Sequence, residues 1–227
     1  MDAIALLKAD HKTVEALFRR FEKAGPNAKK LKRKLVDQMV RELAIHAVIE
    51  EQVFYPAVRA KAEKLQDIVL EALEEHHVVK WTLSELESLP PDAERFEAKV
   101  KVLIENVRTH VAEEQDELFP QVRKAFTPAE LREMAQMLVM AKRAAPTRPH
   151  PRAPDTPPGN LVAGAMSSML DMGKDALRAT RRKVQGMTTR SSNKRSSGKR
   201  SGQAAARKLQ QGEGMAPTAG AETHYVM

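Results

Sequence analysis

The sequence predicts an all-α protein: an antiparallel up-down four-helix bundle with an extra C-terminal helix and a largely disordered basic tail. Three observations predict it. Apolar residues recur at helical intervals through the first 145 residues, no segment alternates as a strand would, and short breaks containing Gly or Pro separate the helical runs. A chain of 227 residues accommodates one such domain with an extension.

Leu7, Val14, Leu17, Phe18 and Phe21 mark the apolar face of a first helix, which Gly25-Pro26 ends. A second helix is predicted from about Ala28 to Ala60, with Leu31, Leu35, Met39, Leu43 and Val53 on its buried face and a late Pro56 that bends its last turns. The third covers roughly Ala62 to Ser88 and stops at Leu89-Pro90-Pro91. A fourth follows from about Ala93 to Ala125, again with a late proline, Pro120. Thr127-Pro128-Ala129-Glu130 then has the form of a capping box with proline in the first turn, opening a fifth helix to about Arg143.

Charge divides the chain. Residues 1–145 carry 24 Lys and Arg against 25 Asp and Glu, a net of −1, whereas residues 146–227 carry 14 against 5, a net of +9. The domain is therefore predicted to be 1–145, followed by a Pro-rich linker over 146–160 and a basic low-complexity tail over 161–227 with a short helix near Met166, Met169 and Met172. Clusters such as Arg178 to Lys183 and Lys194 to Arg200 can neutralise phosphates on nucleic acid or on an anionic membrane surface; no aromatic residue interleaves to stack on bases. Cysteine is absent, which excludes disulfides, thiolate metal sites and cysteine nucleophiles. No apolar run is long enough to span a bilayer and no signal-like segment opens the chain, so the expectation is a soluble cytoplasmic protein.

The chemistry lies in a repeat. HAVIEEQVFYP (46–56) and HVAEEQDELFP (110–120) both place Glu four residues after His, an aromatic nine after it and Pro ten after it. Asp10-His11 and Glu75-His76 repeat at nearly the same offset, so two related helix pairs are expected. Residues four apart share a helix face, and one H-x-x-x-E match alone would be weak. Position strengthens it: His46 and Glu50 continue the stripe of Leu35, Met39 and Leu43, while His110 and Glu114 continue that of Val100, Leu103 and Val107. Buried carboxylates are costly unless paired or bound to a metal. Four helices bringing His11, His46, Glu50, His76, His110 and Glu114 inward would make a dinuclear site suited to iron, manganese or zinc.

At these residues the sequence resembles the hemerythrin-like family, the hemerythrin HHE cation-binding domain. The resemblance implies a four-helix bundle holding two non-heme iron ions bridged by Glu50 and Glu114, with His11, His46, His76 and His110 as terminal ligands, and a function in binding, sensing or reacting with dioxygen or a related small oxidant. Oxygen-carrying hemerythrins have H-x-x-x-H in the third helix, where this chain has Ala72 four residues before His76. That departure points away from reversible oxygen transport and toward sensing, peroxide or nitric oxide chemistry, or iron handling; open iron positions would also permit an oxidase or peroxide-consuming enzyme. The other class of function is a helical interaction protein with a structural metal, tethered by its basic tail.

Neighbouring residues receive weaker expectations. His77 belongs on the surface, Glu117 on the ligand face as a ligand or an acceptor behind one, and Glu51 and Glu113 in solvent or behind a histidine. An ideal helix points Tyr55 away from His46 unless Pro56 distorts it. Phe54, Phe119 and Trp81 are expected to pack, Glu15 is set aside because the repeat aligns it with Lys80, and His150 and His224 are expected to lack partners.

Overall fold

The computed structural model describes residues 1–154 together with Gly159 and Asp171; the rest of the Pro-rich stretch, the basic tail with its short helix, and His224 lie outside them. All regular elements among the described residues are helical. Helix α1 (Ala3–Glu22) is opened by Asp2, whose carboxylate accepts from the Ala5 N–H at 2.8 Å. After the break at Gly25, α2 (Lys29–Ile49) leads into a wide turn, Glu50–Phe54, and then into α3 (Tyr55–Lys61). A single tight turn, Glu63–Leu65, precedes α4 (Gln66–Ser88). The last pair repeats the pattern: α5 (Phe96–Glu113), a second wide turn at Glu114–Leu118, and α6 (Phe119–Ala125). Helix α7 (Pro128–Ala144) supplies the extra C-terminal helix.

The wide turns are π-helical. Tyr55 N–H donates to the Glu50 carbonyl and Phe119 N–H to that of Glu114, five residues back instead of four. Their cause is in the sequence. Pro56 and Pro120 have no N–H and their rings would collide with the carbonyl four residues earlier in a regular helix, so the helix widens and restarts with proline in its first turn.

The core falls into two apolar clusters. One gathers Ile4, Leu7, Ile49, Phe54, Leu73, Leu118 and Phe119 with the inner face of α7; the other gathers Val14, Phe18, Met39, Val79, Leu83, Phe96, Leu103 and Val107. Along α1 and α4 the chain passes from the first cluster to the second, and along α2, and from α5 into the wide turn after it, from the second to the first. His11, His46, His76 and His110 sit at the crossing point in each helix. The arrangement is a polar layer between two greasy ends.

Three expectations change here. Leu31, assigned to the buried face of α2, is exposed, and so is Trp81, whose indole N–H donates to His77 Nε2 at 3.0 Å. His150 does have a partner: its Nε2 lies 3.2 Å from Asp171 Oδ2. Arg148 is buried and ion-paired with Glu87 on α4.

The capping box forms, with Thr127 Oγ1 accepting from the Glu130 N–H at 3.3 Å and Glu130 Oε2 accepting from the Thr127 N–H at 2.8 Å. Thr127→Ala removes half of it. The expected loss is about 1 kcal/mol in urea-induced unfolding.

Candidate metal centre

Each of the six residues singled out by the repeat is buried, and Glu50 is fully so at 0% exposure. Two histidine pairs face inward. His11 and His46 present their Nε2 atoms to each other at 3.0 Å, and His76 and His110 do the same at 3.2 Å. The two carboxylates lie across the pairs: Glu50 Oε2 is 3.2 Å from His46 Nε2 and 3.4 Å from His76 Nε2, while Glu114 Oε2 is 3.3 Å from His11 Nε2 and 3.7 Å from His110 Nε2. Each carboxylate therefore touches one histidine of each pair. Ligand-type atoms gather into two groups, His11, His46, Glu50 and Glu114 in one and Glu50, His76 and His110 in the other, each within 4.8 Å.

Hydrogen bonding leaves this layer incomplete. Both oxygens of Glu50 and Oε2 of Glu114 are buried without a hydrogen-bond donor. Unpaired buried carboxylate oxygens are rare and costly. Four imidazole nitrogens and three such oxygens converging on one place form a donor set that fits a metal cation.

The electrostatics agree. Burial raises the Glu50 carboxyl well above its usual range, reinforced by Glu114, Asp10 and Glu51. Burial also opposes the charge on Glu114, but His110, His11 and His46 hold that carboxyl down at about 2. Burial and the neighbouring His11 bring His46 down to about 4, and burial lowers His76 as well. Burial also opposes the charge on His110, but Glu114 and Glu75 raise it above its usual value. His46 and His76 thus favour the neutral imidazole, the form that binds metals.

Behind the inward-facing nitrogens stands a set of orienting groups. Glu51 accepts from His76 Nδ1 at 3.0 Å and from Lys80 Nζ at 2.9 Å, which meets the expectation that it orients a histidine. Glu75 lies 2.7 Å from His110 Nδ1. On the other pair, Gln115 lies 3.4 Å from His11 Nδ1 and Asp10 Oδ2 lies 3.8 Å from His46 Nδ1. Sequence reasoning missed Glu75, Asp10 and Gln115. The signal was present in part: Asp10 and Glu75 immediately precede His11 and His76, yet each backs the histidine of the facing helix.

Tyr55 reaches the layer. Its hydroxyl donates to Glu114 Oε1 at 3.0 Å and lies 3.4 Å from His76 Nε2. Nine residues after His46 would be half a turn out of phase in a regular helix; the π turn absorbs one residue, leaving about 80°. Phe119, in the same place of the second half, stacks on His11 with ring centroids 5.9 Å apart. Glu117 and His77 are exposed and stand outside both ligand groups.

Two cavities reach the layer. One of about 410 Å³, between α1 and α5, extends to His11 and Gln115 past Val14, Phe18, Val107 and Val111. A smaller one of about 130 Å³ lies where Ala72 leaves room beside His110 and Glu114. Arg108 ties the larger cavity's rim, donating to Glu15 at 3.0 Å and Glu22 at 2.8 Å.

Residues 2–122 match the hemerythrin HHE cation binding domain. An uncharacterized hemerythrin-like protein of Schizosaccharomyces pombe is 31% identical over 142 residues, covering 62% of this chain and 70% of that protein. A DNA nickase of Nostoc is 26% identical over 137 residues, 60% of this chain but only 38% of the nickase. The crystal structure of a hemerythrin HHE cation binding domain-containing protein from Mycobacterium kansasii shares the fold with a TM-score of 0.54 at 26% identity, covering 63% of this chain and 86% of that one. With a match spanning more than half its length and a buried histidine and carboxylate layer that fits a cation, the chain belongs to the hemerythrin HHE cation-binding domain family.

Proposed function

We propose that this protein holds two non-heme iron ions through His11, His46, Glu50, His76, His110 and Glu114, and that it binds or reacts with dioxygen or a related small oxidant there. One observation carries the reading: three buried carboxylate oxygens without donors lie among four converging imidazole nitrogens. Bound iron would supply electrons and coordination positions to the oxidant. The chain's own residues supply the rest. Glu50 and Glu114, each between a histidine of one pair and a histidine of the other, suit carboxylates shared by two ions. The Tyr55 hydroxyl, donating to Glu114, holds that carboxylate's free rotation and offers a proton 3.0 Å from its Oε1.

The larger cavity runs between apolar Val14, Phe18, Val107 and Val111 and the charged Lys12, Glu15, Arg19 and Arg108, and leads a small ligand to His11. Protein produced with iron available should contain about two irons per chain, one for each ligand group, and show a near-ultraviolet oxo-to-iron absorption band that changes on exposure to oxygen or peroxide. Absence of both iron and band would defeat the proposal. Among the described residues no helix is long and apolar enough to cross a membrane.

A further inference from the structure

The duplicated halves have diverged just behind the ligands. The repeat pairs Glu51 with Gln115, Tyr55 with Phe119, and Asp10 with Glu75. These substitutions fall unevenly on the two histidine pairs. His76 and His110 both have a carboxylate against Nδ1, at 3.0 Å from Glu51 and 2.7 Å from Glu75. His11 has the neutral amide of Gln115 at 3.4 Å. His46 Nδ1 and the Asp10 Oδ2 facing it at 3.8 Å both lack a hydrogen-bond partner, while the other Asp10 oxygen is taken by Lys142.

We propose that the two metal positions are unequal, the His76 and His110 position taking its divalent cation first and more tightly because Glu51 and Glu75 back its imidazoles, and that Gln115 keeps the His11 and His46 position weak. The inference rests on the metal-centre reading above and adds an order of loading to it. When Nε2 holds a metal, Nδ1 carries the proton, and a carboxylate accepting that proton fixes the ring and raises the basicity of the ligating nitrogen. Gln115 can serve only by turning its amide oxygen toward His11, and as a neutral acceptor it contributes less.

Two features oppose the ranking and are outweighed. Lys80 also holds Glu51 and reduces its charge, but Glu51 keeps its 3.0 Å contact with His76. The His11 group counts four ligand residues against three, but Glu114, whose Oε2 is 3.7 Å from His110 Nε2, brings a fourth residue to the other group. The difference left over is the one behind the rings. Solvent access does not separate the positions, since the larger cavity ends at His11 and Gln115 and the smaller is lined by Glu75 and His110.

Calorimetric titration of the metal-free full-length chain with Zn²⁺, which has no redox chemistry to complicate binding, tests this directly. Wild type should bind in two steps separated by about tenfold or more. Glu75→Gln should weaken the tighter step by about 10–100-fold and leave the weaker within roughly threefold, the size expected for a group behind a ligand. Gln115→Glu should strengthen the weaker step by about tenfold and narrow the gap. Two equal steps in wild type, or a Glu75→Gln variant with native circular dichroism that loses only its weaker step, would overturn the inference while leaving a two-metal centre intact. A Gln115→Glu variant with an unchanged weaker step would overturn the role given to Gln115. No Zn²⁺ uptake by wild type would overturn the inference and the metal-centre reading together.

Discussion

Replacing Glu50 with methionine should make the metal-free protein more stable and abolish metal binding at once. In the absence of metal, both Glu50 oxygens are buried without a donor, and Glu114, Asp10 and Glu51 oppose the charge. An apolar side chain of similar length removes that cost and fills the same space. The expected gain is about 1–4 kcal/mol in denaturant unfolding with chelator present. It should also depend on pH in a definite direction. Because the folded carboxyl is raised above its usual 4.5, the folded state holds a proton that the unfolded chain has released once the pH exceeds 4.5, and wild-type stability falls as pH rises from there. Below about 4 both states are protonated and the advantage of methionine should shrink. A variant less stable than wild type under chelation at neutral pH would mean that Glu50 is satisfied by the protein alone.

Metal removal should have the opposite and larger effect on wild type. The six proposed ligands lie close together only in the folded bundle, so metal held by them would bind the native state and not the unfolded chain and add about 4 kcal/mol when its free concentration is a thousand times the dissociation constant. Chelation should lower the thermal midpoint by several degrees in wild type and leave Glu50→Met unmoved. An unchanged midpoint in wild type on chelation would remove the centre from any account of this fold.

Much of this was legible in the sequence because the proposed ligands stand on core stripes. His46 and Glu50 prolong the stripe of Leu35, Met39 and Leu43, and the structure buries all five. The capping box at Thr127 was legible for the same reason, since it is a local pattern decided by adjacent residues. What lay beyond periodicity was less so. Tyr55 is out of phase on a regular helix, and only the π turn before Pro56 brings its hydroxyl to Glu114. Glu75 reaches His110 on the facing helix at 2.7 Å and Asp10 stands 3.8 Å from His46, pairings that depend on how helices face one another and that their places beside His76 and His11 do not reveal. Leu31 and Trp81 failed for the converse reason: hydrophobicity alone does not say whether another element covers a position.

The two π turns make the bundle's chemistry sensitive to how the helix closes at one place in each half. Closing the Glu50–Phe54 turn with ordinary four-residue bonds, its residue count unchanged, would turn everything after it by about 100°. His46 would remain where it is, whereas the phenol of Tyr55 would swing off the layer. Deleting one residue there would instead leave Tyr55 about 80° from His46, as it is now, because the π turn already absorbs one residue.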